Sequence, residues 1–202
     1  MKKVAAILLA AGRSRRMGAF KPLLPFGNKT VIESCLDALQ DAGVDDLIVV
    51  VGHRGDEIRK QLAQRKLRFA VNEDPESEMS VSIARGVEQV DVSAGALLIA
   101  LVDHPAVGSE AIRLIIDEWR RGHALVQPEH HGRGGHPVLI DLAYRDELLN
   151  LDPAGGLKSF FAAHRPEVMR LPAESPLVAR DMDTWEDYVR LHEEVFGRPP
   201  KT

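Results

Sequence analysis

Three observations predict a three-layer α/β/α fold with a mostly parallel central sheet. Apolar runs of strand length alternate with amphipathic stretches along the whole chain. The runs Val4–Leu9, Leu47–Val51 and Ala96–Val102 are continuously apolar rather than alternating, as in parallel strands covered on both faces. Glycines close the amphipathic stretches, as Gly43 and Gly122 do, in the position where a helix ends in a left-handed residue.

Taken in order, Val4–Leu9 is the first buried strand. Lys2 and Lys3 ahead of it imitate the charged start of an export signal. Arg13, Arg15 and Arg16 follow at once with no cleavage-like segment, so a strand is expected instead. Thr30 caps a helix running to Gly43, with Val31, Cys35, Ala38 and Leu39 at helical spacing. A strand over 47–51, a short helix over 56–64 and a third strand over 68–71 follow. Residues 80–90 predict a helix, 96–102 a buried strand, and 109–121 a helix stopped by Gly122. Two shorter strands over 124–127 and 137–140 flank a glycine-rich turn. A helix over 157–163, a strand over 168–171 and a closing helix over 185–196 complete the order. No repeat or linker interrupts it, so a single domain over 1–197 with a frayed tail over 198–202 is expected.

Composition narrows the function classes. The 202 residues are 45% hydrophobic and 28% charged, an ordinary globular balance. A chain of this length buries roughly 70% of its unfolded surface and needs no disulfide or metal staple. The net charge of -4 argues against a dedicated nucleic-acid binder or a polybasic membrane binder. No apolar run approaches the ~20 residues of a membrane span. Cys35, the one cysteine, has no intrachain partner, and a reducing, cytoplasmic setting is expected.

In a sheet of this kind ligands bind beyond the carboxyl ends of the strands. The loop after the first strand, Leu9-Ala10-Ala11-Gly12-Arg13-Ser14-Arg15-Arg16-Met17-Gly18 with Lys21 close behind, carries the strongest signal. Its glycines let backbone amides approach a phosphate. Before Glu33 the chain holds seven Lys or Arg and no Asp or Glu, which points to a polyphosphate ligand. Two common phosphate loops are excluded: Ala19-Phe20 break the spacing of G-x-x-x-x-G-K-[ST], and Ser14 stands at the second glycine of G-x-G-x-x-G. Asp103 closes an apolar run at a strand's carboxyl end, a good place for a Mg²⁺ ligand. A turn or helix cap is its alternative role. Asp181 and Asp183 alternate ahead of the last helix, where Asp183 or Thr184 could also serve as its cap.

The first loop resembles the signature L-A-[AG]-G-x-[SG]-x-R-[ML]-G, followed by Lys, of nucleotidyltransferases with a Rossmann-like, glycosyltransferase-A-like fold. Within them the chain is most similar to the MobA-like molybdenum cofactor cytidylyltransferase and guanylyltransferase group. Further likeness lies at Asn72–Ser82, Leu101-Val-Asp-His-Pro105, Gly134-Gly-His-Pro-Val138 and Asp181–Asp187. Ala11 and Gly-His-Pro-Val favour the cytidylyl branch. The resemblance implies an NTP substrate, CTP favoured, bound by Leu9, Ala10, Ala11, Gly12, Arg13, Ser14, Arg16, Lys21, Asn72, Ser80, Ser82 and Asp103. Ser80 is equally suited to cap the helix that follows.

Arg16, Lys21 and Asp103 are the expected catalytic residues, and Asp103 and Asp183 the expected Mg²⁺ ligands. A small phosphorylated acceptor, molybdopterin cofactor by resemblance, is expected near Arg133, Gly135, His136 and Lys158. Gly134, Gly135 and His136 would give it close backbone access. A molybdoenzyme or its maturation chaperone would then be a partner, with no nucleic acid and no membrane. Asp152-Pro-Ala-Gly-Gly-Leu-Lys-Ser159 departs from the family's G-D-x-G pattern and leaves the acceptor open. GTP, another small phosphate, or a non-catalytic nucleotide-binding or cofactor-delivery role are the alternatives. The crowding of His130, His131 and His136 lacks the spacing of a zinc site. His123, His164 and His192 are expected to be structural or solvent-facing.

Overall fold

The computed structural model describes residues 2–74 and 76–200. Its elements, in chain order, begin with β1 (Lys3–Ala10), β2 (Pro25–Phe26), β3 (Lys29–Thr30), α1 (Val31–Asp41) and β4 (Asp46–Val51). Next come α2 (Gly55–Gln61), β5 (Arg68–Val71), α3 (Met79–Glu88), β6 (Ala94–Leu101) and α4 (Ser109–Arg120). The remainder are β7 (Leu125–His130), β8 (Arg133–Gly134), β9 (Val138–Asp141), α5 (Arg145–Leu149), α6 (Gly156–Ala163), β10 (Val168–Pro172) and α7 (Trp185–Phe196).

The main sheet runs β10-β7-β9-β6-β1-β4-β5, with β8 paired to β7. β1 lies in its interior, parallel to β4 on one side and to β6 on the other. From β1 the chain moves outward through β4 and β5, then returns to the opposite flank at β6. That reversal opens a crevice at the carboxyl ends of β1 and β6. β9 is antiparallel to both β6 and β7, which makes the sheet mixed beyond β6.

Each strand of the central group buries both faces. Ala6, Leu8, Val49 and Leu98 face a core shared with α1, α2 and α4. Ile7, Ile48, Val50 and Ile99 face the opposite core, shared with α3, α5 and α6. α3 approaches the sheet at Gly86, where an added Cβ would sit 2.9 Å from Ile7 and 3.0 Å from Val50. α1 starts at a capping box: Glu33 N–H donates to Thr30 Oγ1, and Thr30 N–H donates to Glu33. His192, expected to be structural, accepts from Gly27 N–H at Nε2 (3.2 Å) and so donates from Nδ1 to Arg198 O (2.7 Å). The expected tail therefore starts with a held carbonyl, and residues 201–202 lie outside the described residues.

Several expectations need correction. α2 ends at Gln61 rather than at residue 64, and β7 continues past Pro128 to His130. The β2–β3 hairpin and α5 were not predicted, because pieces of two and five residues are too short to show a period. Among the described residues no helix is long and apolar enough to cross a membrane.

Two outcomes follow for stability. Thr30→Ala should cost about 1 kcal/mol and lower the thermal midpoint by about 2–4 °C. His164 bridges Glu147 (2.8 Å) and Glu167 (3.3 Å), and the Glu147 hydrogen bond leads in raising its pKa. A raised folded-state value means this stabilisation is complete below the unfolded value of about 6.5 and is lost as pH rises through the folded value. Unfolding measured from pH 5 to 9 should show that component in the native protein and not in His164→Gln.

Candidate active site

The loop after β1 is shaped by its own signature residues. Ser14 adopts a left-handed backbone (φ 51°), and Met17 N–H closes a turn on its carbonyl at 3.1 Å. Ser14 Oγ accepts from the backbone N–H of Lys21 at 3.3 Å, so this serine holds the lysine in place. Met17 is buried with Phe26, Val31, Met182, Tyr188 and Leu191, which anchors the loop beneath α7. The arginines between are left on the surface above the crevice.

Lys21 is only 7% exposed and sits between two carboxylates. Its Nζ lies 3.2 Å from Asp183 Oδ1 and 3.7 Å from Asp103 Oδ2. Arg16 reaches Asp183 Oδ2 at 2.9 Å. Thr184, not Asp183, caps α7, in a capping box with Asp187. Asp183 is thereby free to face the lysine. From behind, Tyr188 donates to Pro25 O at 2.6 Å and clamps the hairpin that follows Lys21 onto α7. Gly27 (φ 67°) completes the clamp: a Cβ there would meet the Phe196 ring at 2.7 Å.

Asp103 follows β6, and its Oδ1 is buried without a hydrogen-bond partner among the described residues. His104 and His136 lie behind it. Burial lowers the pKa of both, that of His136 to about 4. Burial, reinforced by Asp103, pushes the Cys35 thiol far up and keeps it protonated.

Lys21, Asp103 and Asp183 border a cleft of about 310 Å³. Leu9, Ala11, Gly12, Ser14, Arg16 and Lys21 line it. Asn72, Ser82, Asp103 and Asp183 line it too. Ala10 instead faces the core under α1 and α4. Asn72 knits its own wall together, donating from Nδ2 to Ser77 Oγ and Ser82 Oγ, both at 2.8 Å. Ser80 is not on the cleft and does not cap α3. The helix starts one residue earlier with Glu78 as its cap, which puts the Ser80 hydroxyl in the first turn, buried and unpartnered among the described residues.

Arg13 is turned to the rim, where it and Arg15 pair with Glu76. Glu76 was not singled out from the sequence, although the acidic run Glu73–Glu78 opposite a basic loop was a usable signal. Gly52 was also missed: a Cβ there would lie 3.0 Å from Ala11 O and 3.1 Å from Asn72 O, so only glycine lets these walls approach.

The four residues expected at the acceptor do not share one pocket. His136 and Lys158 line a groove of about 740 Å³ with Arg165 and Arg170. Arg133 lines a separate pocket of about 250 Å³ with His130, Arg180 and Asp181. Gly135 is a packing glycine rather than an access point, because a Cβ there would fall 2.3 Å from Val178 O.

Among the described residues no cluster of three or more His, Cys, Asp or Glu could hold a metal alone. The two carboxylates fit a hard cation that draws its other oxygens from phosphate and water. The unpartnered Asp103 Oδ1 agrees with that donor set.

A mycobacterial protein, Rv0371c of Mycobacterium tuberculosis H37Rv, shares the fold with a TM-score of 0.85 at 30% identity, over 95% of this chain and 98% of that one. A second structure of Rv0371c is a complex with manganese (TM-score 0.82, 28% identity, 95% of this chain and 98% of that one). The molybdenum cofactor cytidylyltransferase of Escherichia coli K12 is 26% identical over 196 residues, covering 96% of this chain and 97% of its own. The nicotine blue oxidoreductase of Paenarthrobacter nicotinovorans is 25% identical over 196 residues, 93% of this chain and 96% of its own. The MobA-like NTP transferase domain matches residues 6–168. With that match over most of its length, the chain belongs to the MobA-like NTP transferase family and is a nucleotidyltransferase.

Proposed function

We propose that the chain transfers NMP from an NTP, CTP favoured, to a small phosphorylated acceptor, with molybdopterin cofactor the leading candidate. The observation that carries this reading is Lys21, buried between Asp103 and Asp183 at the mouth of a cleft walled by the Gly12–Arg16 loop. The preference for CTP and a pterin acceptor is supported by Ala11, by Gly134-Gly-His-Pro-Val138 and by the Escherichia coli relative.

In this reading an oxygen of the acceptor phosphate attacks the α-phosphorus in line. The bond from that phosphorus to the bridging oxygen breaks, and pyrophosphate leaves with the electron pair. The second pKa of a phosphate monoester is about 6, so the nucleophile is already ionised at pH 7 and no general base is required. Catalysis then rests on positioning and charge. The Gly12–Arg16 backbone cradles the β and γ phosphates, and Arg16 neutralises the departing pyrophosphate. Lys21 meets the charge that builds at the α-phosphoryl oxygens. Asp103 and Asp183 hold Mg²⁺, whose positive charge on the same phosphate is its contribution when bound. Lys158, with Arg165 and Arg170 in the same groove, attracts the acceptor's phosphate.

Thermal unfolding with CTP, GTP, ATP or UTP, each with and without Mg²⁺, tests the nucleotide. CTP at ~100 Kd should add about 2.7 kcal/mol, with Mg²⁺ required and Asp103→Ala unresponsive. A GTP response moves the protein to guanylyl transfer. Stabilisation without turnover of any acceptor favours a binding or delivery role.

Lys21→Ala should lower kcat by about 10²–10³ while changing the NTP KM far less, as expected for a contact that tightens in the transition state. Steady-state kinetics that show an unchanged kcat remove Lys21 from the chemistry. Glu76→Ala frees Arg13 and Arg15 for phosphate. An exposed ion pair is worth at most about 1 kcal/mol, so the NTP KM should fall by up to about fivefold with kcat retained.

A further inference from the structure

The turn that carries Lys21 is held from a direction the mechanism above does not use. Phe20 stands at the head of the 3₁₀ turn Lys21–Leu23, where its carbonyl accepts from Leu23 N–H at 3.2 Å. Its ring is buried and belongs to the core shared with α1, α2 and α4. Arg54, on the turn between β4 and α2, lies over that ring, with its Cζ 4.3 Å from the ring centroid. A guanidinium within about 6 Å of an aromatic centroid is attracted by the negative face of the ring.

Two features hold Arg54 in this place. Its backbone is left-handed (φ 58°, ψ 27°), a conformation that favours glycine, although Gly52 and Gly55 stand close by on the same turn. Gly55 N–H donates to Gly52 O at 2.9 Å, and Glu57 N–H donates to Arg54 O at 3.1 Å. The guanidinium is then gripped in a fork by one carboxylate. Its Nε donates to Glu57 Oε1 at 2.5 Å and its Nη2 to Glu57 Oε2 at 2.6 Å. A lysine cannot make this two-point contact. Neither Arg54 nor Phe20 borders the nucleotide cleft.

We propose that Arg54 is a positioning residue for Lys21. The Glu57-locked guanidinium keeps the Phe20 ring seated on the core. The ring in turn fixes the backbone from which the next residue sends its ammonium between Asp103 and Asp183. Ser14 Oγ, accepting from Lys21 N–H, secures the same stretch of backbone. The ammonium has little latitude, with Asp183 Oδ1 at 3.2 Å and Asp103 Oδ2 at 3.7 Å. A displacement of about 1 Å at a reacting centre can cost about 10²-fold in rate. The catalytic consequence rests on the reading of Lys21 given above. The packing claim concerns the protein alone.

The packing claim is read without substrate. Trace acetylation of the nucleotide-free protein, followed by peptide mass spectrometry, compares buried Lys21 with exposed Lys66. Arg54→Gly suits the left-handed turn while removing the guanidinium. It should raise the Lys21 rate relative to Lys66 by about 2–5-fold, the range of one exposed cation–π contact. A thermal midpoint confirms that the variant folds. An unchanged Lys21 rate overturns the proposal.

Steady-state kinetics test the consequence. Arg54→Gly should lower kcat by about 2–5-fold and leave the NTP KM within about 2-fold. In a Lys21→Ala background it should lower kcat no further, because a residue acting only through Lys21 has nothing left to act on. A loss that persists in that background overturns the positioning role. Glu57→Ala keeps the guanidinium but unlocks it, and should lower kcat in the same direction as Arg54→Gly. A Glu57→Ala variant with a lower NTP KM and full kcat shows a freed arginine meeting phosphate, which also overturns the role. If Lys21→Ala alone leaves kcat unchanged, the catalytic reading of Lys21 fails, and acetylation still decides whether Arg54 holds it.

Discussion

A single ammonium shared by two carboxylates is the constraint on which the site depends. Lys21 leaves the loop after β1, Asp103 follows β6, and Asp183 stands just ahead of α7. The three meet only if the central sheet, the first loop and the last helix are all in place. A buried cation without a counter-charge is costly, and removing one partner of such a cluster leaves an uncompensated charge. The arrangement is therefore also a check on correct folding: Lys21 and Asp183, 162 positions apart, must meet before the ammonium has both of its carboxylates.

The packing beneath the site follows from the same need. A loop rich in glycine and arginine has little to hold it, so its stability has to be supplied from outside. Met17 and Phe26 provide apolar anchors, covered by Tyr188 and Leu191 of α7 together with Val31 and Met182. Tyr188 and His192 then accept or donate at the backbone of the short hairpin, which leaves few unpaired polar groups under the lysine. On the opposite wall Asn72 does comparable work with two serine hydroxyls. Gly52 is the point at which both walls touch.

The parallel half of the sheet was legible because β1, β4 and β6 are each buried on two faces, and two-sided burial leaves an unbroken apolar run. α1 was legible from Thr30 ahead of an apolar stripe, and α7 from a cap at Asp183 or Thr184, which the structure assigns to Thr184. The cleft was readable at the first loop, where the glycine- and arginine-rich run after β1 points to phosphate and the resemblance to the family signature places Gly12, Ser14, Arg16 and Lys21. Its far wall was not. Ser80 and Ser82 look alike in sequence, and only the helix phase decides that Ser82 reaches the cleft while Ser80 turns away. Gly134 and Gly135 look equally available, yet Val178 O presses on the second. Such distinctions depend on contacts between distant segments, which local pattern does not carry.

Charge pairing in the cleft has a further consequence for how a nucleotide enters. Within the protein alone each cation already has a carboxylate: Glu76 for Arg13 and Arg15, and Asp183 for Arg16 and Lys21. A triphosphate without a metal must compete with those carboxylates and leave them unpaired in a partly desolvated cleft. A metal without a triphosphate must compete with Lys21. In the proposed reading both enter together and the partners would exchange: phosphate oxygens would take the guanidinium and ammonium groups, and the released aspartates would take the metal. Each charge keeps a counter-charge throughout, so the desolvation penalty that opposes either ligand alone is offset only when they arrive together. Metal-linked nucleotide binding, in the proposed reading, would then be a consequence of electroneutrality in the cleft and would require no separate conformational switch.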